Sequence, residues 1–212
     1  MTDTDRVREA KGAGGKTLIF FVWGVVTALA TGYGLQLLRP LVTRHLEDML
    51  PGGGPIVMAP IVEEAARMAG LLVAAHVKGP PRADQYRWPV FCFGLGFAFL
   101  EALMHWFGVG GSTDESLFIH VWGPWSPILL HVGLTIGAAL FIISQRPIVG
   151  AIVCILLHGL HNAYVYHVLA RASLGAISIA LPAQLALMAI VIALLMMVWR
   201  WHAPRMQFRT DL

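Results

Sequence analysis

Six apolar segments, each of about 20 residues, dominate this 212-residue sequence. A helix needs a run of about that length to cross a hydrocarbon core about 30 Å thick. Lipid offers no hydrogen-bond partners, so each segment must satisfy its own backbone and is predicted to be an α-helix. The segments lie at 17–38, 55–77, 88–109, 126–144, 147–169 and 176–199. The sequence therefore predicts an all-α, polytopic membrane bundle with about six transmembrane helices.

Composition excludes an ordinary soluble domain, since 57% of the residues are hydrophobic and only 13% are charged. Soluble domains carry about a quarter charged residues. The net charge of +3 does not indicate nucleic acid, because the basic residues lie in short loops between the apolar segments. We predict a disordered cytoplasmic tail at 1–16, a single transmembrane domain at 17–201 and a second cytoplasmic tail at 202–212.

The distribution of Lys and Arg predicts the orientation. With six helices and a cytoplasmic N-terminus, 11 of the 15 basic residues fall on the cytoplasmic side and 3 on the other. This bias is typical of membrane proteins and places both termini in the cytoplasm. Residues 108–125 contain no Lys or Arg, and Trp122, Pro124 and Trp125 predict an interfacial or re-entrant segment. Pro147 predicts a tight turn that opens directly into the fifth helix. Cys92 and Cys154 lie within apolar segments and are expected to be free thiols.

Several ionisable side chains lie inside these segments, where they are costly and are candidates for function. Counted from the extracytoplasmic ends, most fall in one layer, about 8–16 Å deep at 1.5 Å per residue. Four different helices contribute to this layer, which predicts one shared site. The candidates for catalysis are Glu63, Glu64, Glu101, His131, His158 and Asn162, with Arg67 in support.

Each candidate also has a structural interpretation. Glu63 and Glu64 stand four and three residues before Arg67, so either carboxylate could form a buried pair that orients two helices. Two adjacent carboxylates would not both stay ionised in a medium of low dielectric. A structural pair has no use for the second acid, which favours a chemical role. His131 and His158, taken singly, could be packing residues.

Two hydrolytic chemistries fit these residues. A carboxylate could take a proton from water while a histidine or amide donates to the oxyanion of the tetrahedral intermediate. Alternatively, Glu101, His131 and His158 could hold a divalent metal such as zinc, with water as the fourth ligand. The residues leave open whether the cofactor is a metal or none at all.

The run from Glu63 to Arg67 resembles the double-glutamate motif of the PrsW and CAAX-protease-like superfamily of intramembrane proteases. The run from Gly94 to Glu101 is similar to the second motif of the superfamily in its PrsW form. His131 and the run from His158 to Asn162 resemble its later histidine motifs. The CAAX branch has His at the position of Glu101, which favours the PrsW side. PrsW proteins usually carry Lys at the position of Arg67.

The resemblance implies a multi-pass protein of a bacterial or archaeal cell membrane that hydrolyses a peptide bond. The implied partner is a single-span membrane protein cut near the extracytoplasmic side. In that mechanism Glu63 acts as general base, Glu64 holds the geometry through Arg67, and Glu101 and His131 share the water or a metal. His158 and Asn162 stabilise the oxyanion. The alternative is a non-catalytic membrane scaffold or a proton-coupled transporter that uses the same polar residues.

Overall fold

The computed structural model of the protein describes residues 3–49, 53–77, 86–106, 125–168 and 173–202. Across these ranges the chain forms six α-helices and no strand, so the all-α prediction is confirmed. A π-helical turn, Gly54–Met58, leads into the second helix. The helices are α1 (Asp3–Met49), α2 (Ala59–Val77), α3 (Arg87–Trp106), α4 (Trp125–Ile143), α5 (Pro147–His167) and α6 (Leu174–His202).

Four helices of the described chain are long and apolar enough to cross a membrane. They are the part of α1 from Lys16 to Leu38, all of α4 and α5, and the part of α6 from Gly175 to Trp201. Helix α2 differs from these because it carries two glutamates and an arginine. Helix α1 extends past its apolar run at both ends. The predicted interfacial segment lies outside the described residues except for Trp125, and the predicted C-terminal tail does so except for His202.

Helices α1 and α3 touch backbone to backbone through two glycines. A Cβ atom added to Gly24 would lie 2.2 Å from the carbonyl oxygen of Phe93. A Cβ atom added to Gly96 would lie 2.0 Å from the carbonyl oxygen of Phe21. Neither position accepts a side chain without separating the helices, so these glycines set the distance between α1 and α3.

Helix α4 lies inside the bundle. Ile136 on α4 and Phe93 on α3 are fully buried, and Trp199 on α6 packs into the same core. A tight turn with Gln145 in the left-handed region (φ 59°) connects α4 to α5. Helix α5 then begins at Pro147, as the sequence predicts. This turn places α5 beside α4, which brings the histidines of the two helices close together.

Candidate active site

Arg67 and Glu64 form a buried ion pair on one face of α2. Arg67 Nη1 donates to both carboxylate oxygens of Glu64 at 2.5 Å, and neither side chain is more than 1% exposed. The two residues are three apart, so one helix supplies both partners. Burial makes an unpaired charge costly, and this geometry compensates each charge with the other. Glu64 is therefore held as an ionised acceptor.

Arg67 also fixes the protonation pattern of His131 on α4. Arg67 Nη2 contacts His131 Nδ1, and a guanidinium can only donate hydrogen bonds. Nδ1 must then be the acceptor, so the ring proton of neutral His131 is on Nε2. That Nε2 donates to Glu101 Oε2 on α3 at 2.6 Å. Arg67 thus makes the Nε2 atom of His131 a hydrogen-bond donor.

In His158 on α5 the roles of the two ring nitrogens are reversed, with Nδ1 as the donor. Its Nδ1 lies 2.8 Å from Glu64 Oε1, and the ionised carboxylate accepts the hydrogen bond. The Nε2 atom of His158 is therefore directed elsewhere, 3.8 Å from Glu63 Oε2. The same Glu63 oxygen lies 3.7 Å from Nε2 of His131. Glu63 faces both imidazoles, while the neighbouring Glu64 binds Arg67.

The cluster is buried on its inner side and open toward its acids. His131 and His158 are 1% and 3% exposed, and Phe97 packs against both Arg67 and His131. The side chain of Glu63 is 19% exposed and that of Glu101 is 38% exposed. A small reactant could therefore reach the two carboxylates without displacing the buried ion pair.

The convergence predicted from the sequence is confirmed, because α2, α3, α4 and α5 bring their acids and imidazoles into contact. Asn162 has a different position. Its Nδ2 donates to the carbonyl oxygen of Pro55 at 2.8 Å, in the π-helical turn before α2. On the same side of α5, a Cβ atom at Gly159 would lie 2.9 Å from the carbonyl oxygen of Ile56. In the structure Asn162 thus joins α5 to the start of α2.

One set of residues has the spacing of a metal site. Glu63, His131 and His158 each offer a ligand atom, and the three atoms lie within 4.8 Å of one another. His158 fits such a site, because its other nitrogen donates to a carboxylate, as is usual for metal-bound histidine. His131 does not fit, because Nδ1 accepts from Arg67 and Nε2 carries the proton. The predicted metal set of Glu101, His131 and His158 has the same conflict at His131. In this arrangement neither ring nitrogen of neutral His131 offers a free lone pair to a metal.

A second polar cluster, which was not predicted from the sequence, connects α4, α5 and α6. Gln184 Nε2 lies 3.2 Å from both Ser126 Oγ and His161 Nδ1, and Ser126 Oγ lies 3.3 Å from His161 Nε2. His161 is one turn from His158 along α5. Gln184 is the one amide in the apolar run of α6, and that isolation is the signal that could have indicated it.

No family model, curated protein or solved structure matches this chain. The geometry of the cluster and the motifs of the sequence are therefore the basis for any assignment of function.

Proposed function

We propose that this protein is an intramembrane endopeptidase in which Glu63 activates water to attack a peptide bond of a membrane-anchored substrate. One observation carries the proposal: the two adjacent glutamates have different partners. Glu64 is neutralised by Arg67. Glu63 instead faces two imidazole Nε2 atoms across 3.7 and 3.8 Å, distances that a shared water can bridge.

The residues account for each proton in the reaction. Glu63 takes a proton from water as the oxygen bonds to the peptide carbonyl carbon. The oxyanion that forms accepts hydrogen bonds from Nε2 of His131, and from Nε2 of His158 when that ring is protonated. As the C–N bond breaks, Glu63 returns its proton to the departing amine. Glu101, partly exposed, releases the His131 donor when substrate arrives.

The proposal includes the topology predicted from the sequence, with six spans and both termini in the cytoplasm. In that topology the cluster lies in the outer half of the bilayer, so the substrate is cut near the extracytoplasmic side. It also includes membership of the PrsW side of the superfamily, in a bacterial or archaeal membrane. The motifs support this relationship. Arg67 of the first motif contacts His131, and Glu64 of the same motif contacts His158, so residues of separate motifs form one cluster.

The direct test uses purified protein in liposomes with a fluorogenic single-span peptide as the probe. We expect Glu63→Gln to abolish hydrolysis, because an amide cannot accept the proton of water. His158→Ala should also abolish it. The matched control is Glu9→Gln, which makes the same change before the apolar part of α1 and should leave the rate unchanged. Wild-type rates in both cluster variants would refute the mechanism.

A proton-coupled transporter is the rival, and the hydrogen-bonded chain from Glu101 through His131, Arg67 and Glu64 to His158 resembles a proton relay. Arg67 stands in the middle of this chain. A guanidinium does not release its proton in proteins, so protons cannot pass along the chain at that point. A proton relay would therefore have to run through Glu63, which faces the Nε2 atoms of both histidines. Proton flux into liposomes without hydrolysis would support the rival instead.

A further inference from the structure

An apolar groove of about 790 Å³ lies between α4, α5 and α6. Helices α5 and α6 each pack against α4, which forms the floor of the groove. Exposed leucines form the walls, with Leu160 on α5 at 68% and Leu187 on α6 at 61% exposure. The groove therefore has α4 at its base and α5 and α6 at its sides, a shape that a further helix can fill.

The floor is built from small residues. Gly133 and Gly137 are four apart on α4 and both line the groove. A Cβ atom at Gly137 would meet no described atom within 4 Å, and one at Gly133 would meet only Ile192, at 3.4 Å or more. Glycines with this spacing let two helix backbones approach closely in a membrane. Acyl chains adapt to any apolar surface and do not need such a floor, so the floor favours a helix as the occupant.

One end of the groove is polar. Ser126, His161 and Gln184, one from each helix, contact one another, and His161 and Gln184 line the groove. The last turn of a helix leaves backbone groups without intrahelical partners, and in lipid they must find partners elsewhere. Side chains with both donors and acceptors can supply them. The polar end therefore suits a helix terminus better than a hydrocarbon tail.

We propose that this groove binds the membrane-spanning helix of the substrate, with its unwound end at the Ser126–His161–Gln184 cluster. This inference rests on the proposed function and adds the site where the substrate docks. His161 is three residues from His158 on α5, so the polar end of the groove adjoins the proposed active site. A chain that leaves its helix at His161 is therefore one helical turn along α5 from His158, one of the residues of the proposed mechanism.

The first test measures binding of a fluorescent single-span Leu/Ala peptide with an Asn-Pro pair near its extracytoplasmic end. The protein carries Glu63→Gln in liposomes, so hydrolysis does not interfere. Adding Gly137→Leu puts a bulky side chain into the groove at a position where a Cβ meets no described atom within 4 Å, and it should raise the Kd about tenfold or more, as overpacking of a fitted surface does. Gly32→Leu on α1, where a Cβ also meets no described atom within 4 Å, is the control and should leave the Kd unchanged. Equal Kd values in both variants would overturn the proposal.

The second test identifies the occupant by photo-crosslinking, which needs no change to the groove floor. A benzophenone amino acid replaces Leu160 on the groove wall, or Ile152 on another part of α5 that is 53% exposed. We expect the peptide to crosslink at position 160 and not at position 152. Crosslinks at 160 to lipid alone, or to a second copy of this chain, contradict the proposal.

Binding without hydrolysis by the wild type would leave the groove assignment intact and refute only the proposed function. Hydrolysis at an unchanged rate in the Gly137→Leu variant would leave the proposed function intact and refute the groove assignment.

Discussion

Replacement of Arg67 by Met is expected to destabilise the protein strongly, because it leaves the Glu64 carboxylate buried without its cation. Both side chains are at most 1% exposed. Two unit charges about 4 Å apart attract by about 4 kcal/mol at an effective dielectric of about 20. Loss of one partner from a buried pair costs about 3–5 kcal/mol, because the remaining charge stays desolvated. The lost hydrogen bond to His131 adds to this cost.

The assay is unfolding of the purified protein in mixed micelles with increasing SDS, followed by circular dichroism. The matched control is Arg87→Met, since Arg87 lies at the start of α3 and stacks on the neighbouring Trp88. That variant loses only a cation–π contact and should cost less than about 1 kcal/mol. The double variant Glu64→Gln/Arg67→Met removes the charge together with its partner and should recover most of the loss. If Arg67→Met costs less than about 1 kcal/mol, or the double variant is no more stable, the buried-pair argument is wrong.

Three further predictions concern other parts of the molecule. Asn162→Ala removes a hydrogen bond to the Pro55 carbonyl and should cost about 1 kcal/mol in the same unfolding assay. A measurable rate of hydrolysis should remain. Complete loss of activity in a stable variant would instead indicate that Asn162 stabilises the oxyanion. Gly96→Ala should lower the free energy of unfolding by about 1–3 kcal/mol, because the new Cβ meets the α1 backbone. The control Gly32→Ala should change it by no more than about 0.5 kcal/mol. Equal stabilities of the two variants would contradict the close contact between α1 and α3. A chelator should leave the rate of peptide hydrolysis unchanged, and a loss that zinc restores would show that a metal binds despite the proton on His131.

The helices and the shared site were predictable because they depend on local patterns. An apolar run of the length of a membrane span gives four of the described helices, and the structure places two of them, α4 and α5, within two residues of the predicted ends. Spacing along α2 predicts that either Glu63 or Glu64 pairs with Arg67, and the structure shows the pair with Glu64. Counting depth from the helix ends predicts that Glu101, His131 and His158 meet. Each inference needs only the helical rise and the thickness of the bilayer.

The remaining features depend on contacts that no local pattern contains. The proton position on His131 follows from a contact with Arg67, 64 residues away in sequence. The bond from Asn162 reaches Pro55, 107 residues away, through a π-helical turn that the apolar pattern does not indicate. Gln184 is a single amide in an apolar run, and only the packing of three helices shows what it contacts.

The pairing within α2 has a consequence for the synthesis of this protein. When α2 leaves the ribosome, the imidazoles that contact its charges do not yet exist, since His131 lies 64 residues after Arg67 and His158 lies 94 residues after Glu64. The guanidinium and the Glu64 carboxylate are only three residues apart and can neutralise each other at once. In the proposed six-span topology, α2 can then enter the translocon with one uncompensated acid instead of three charges. In that topology, the ion pair that later contacts both histidines also lowers the free-energy cost of inserting its own helix.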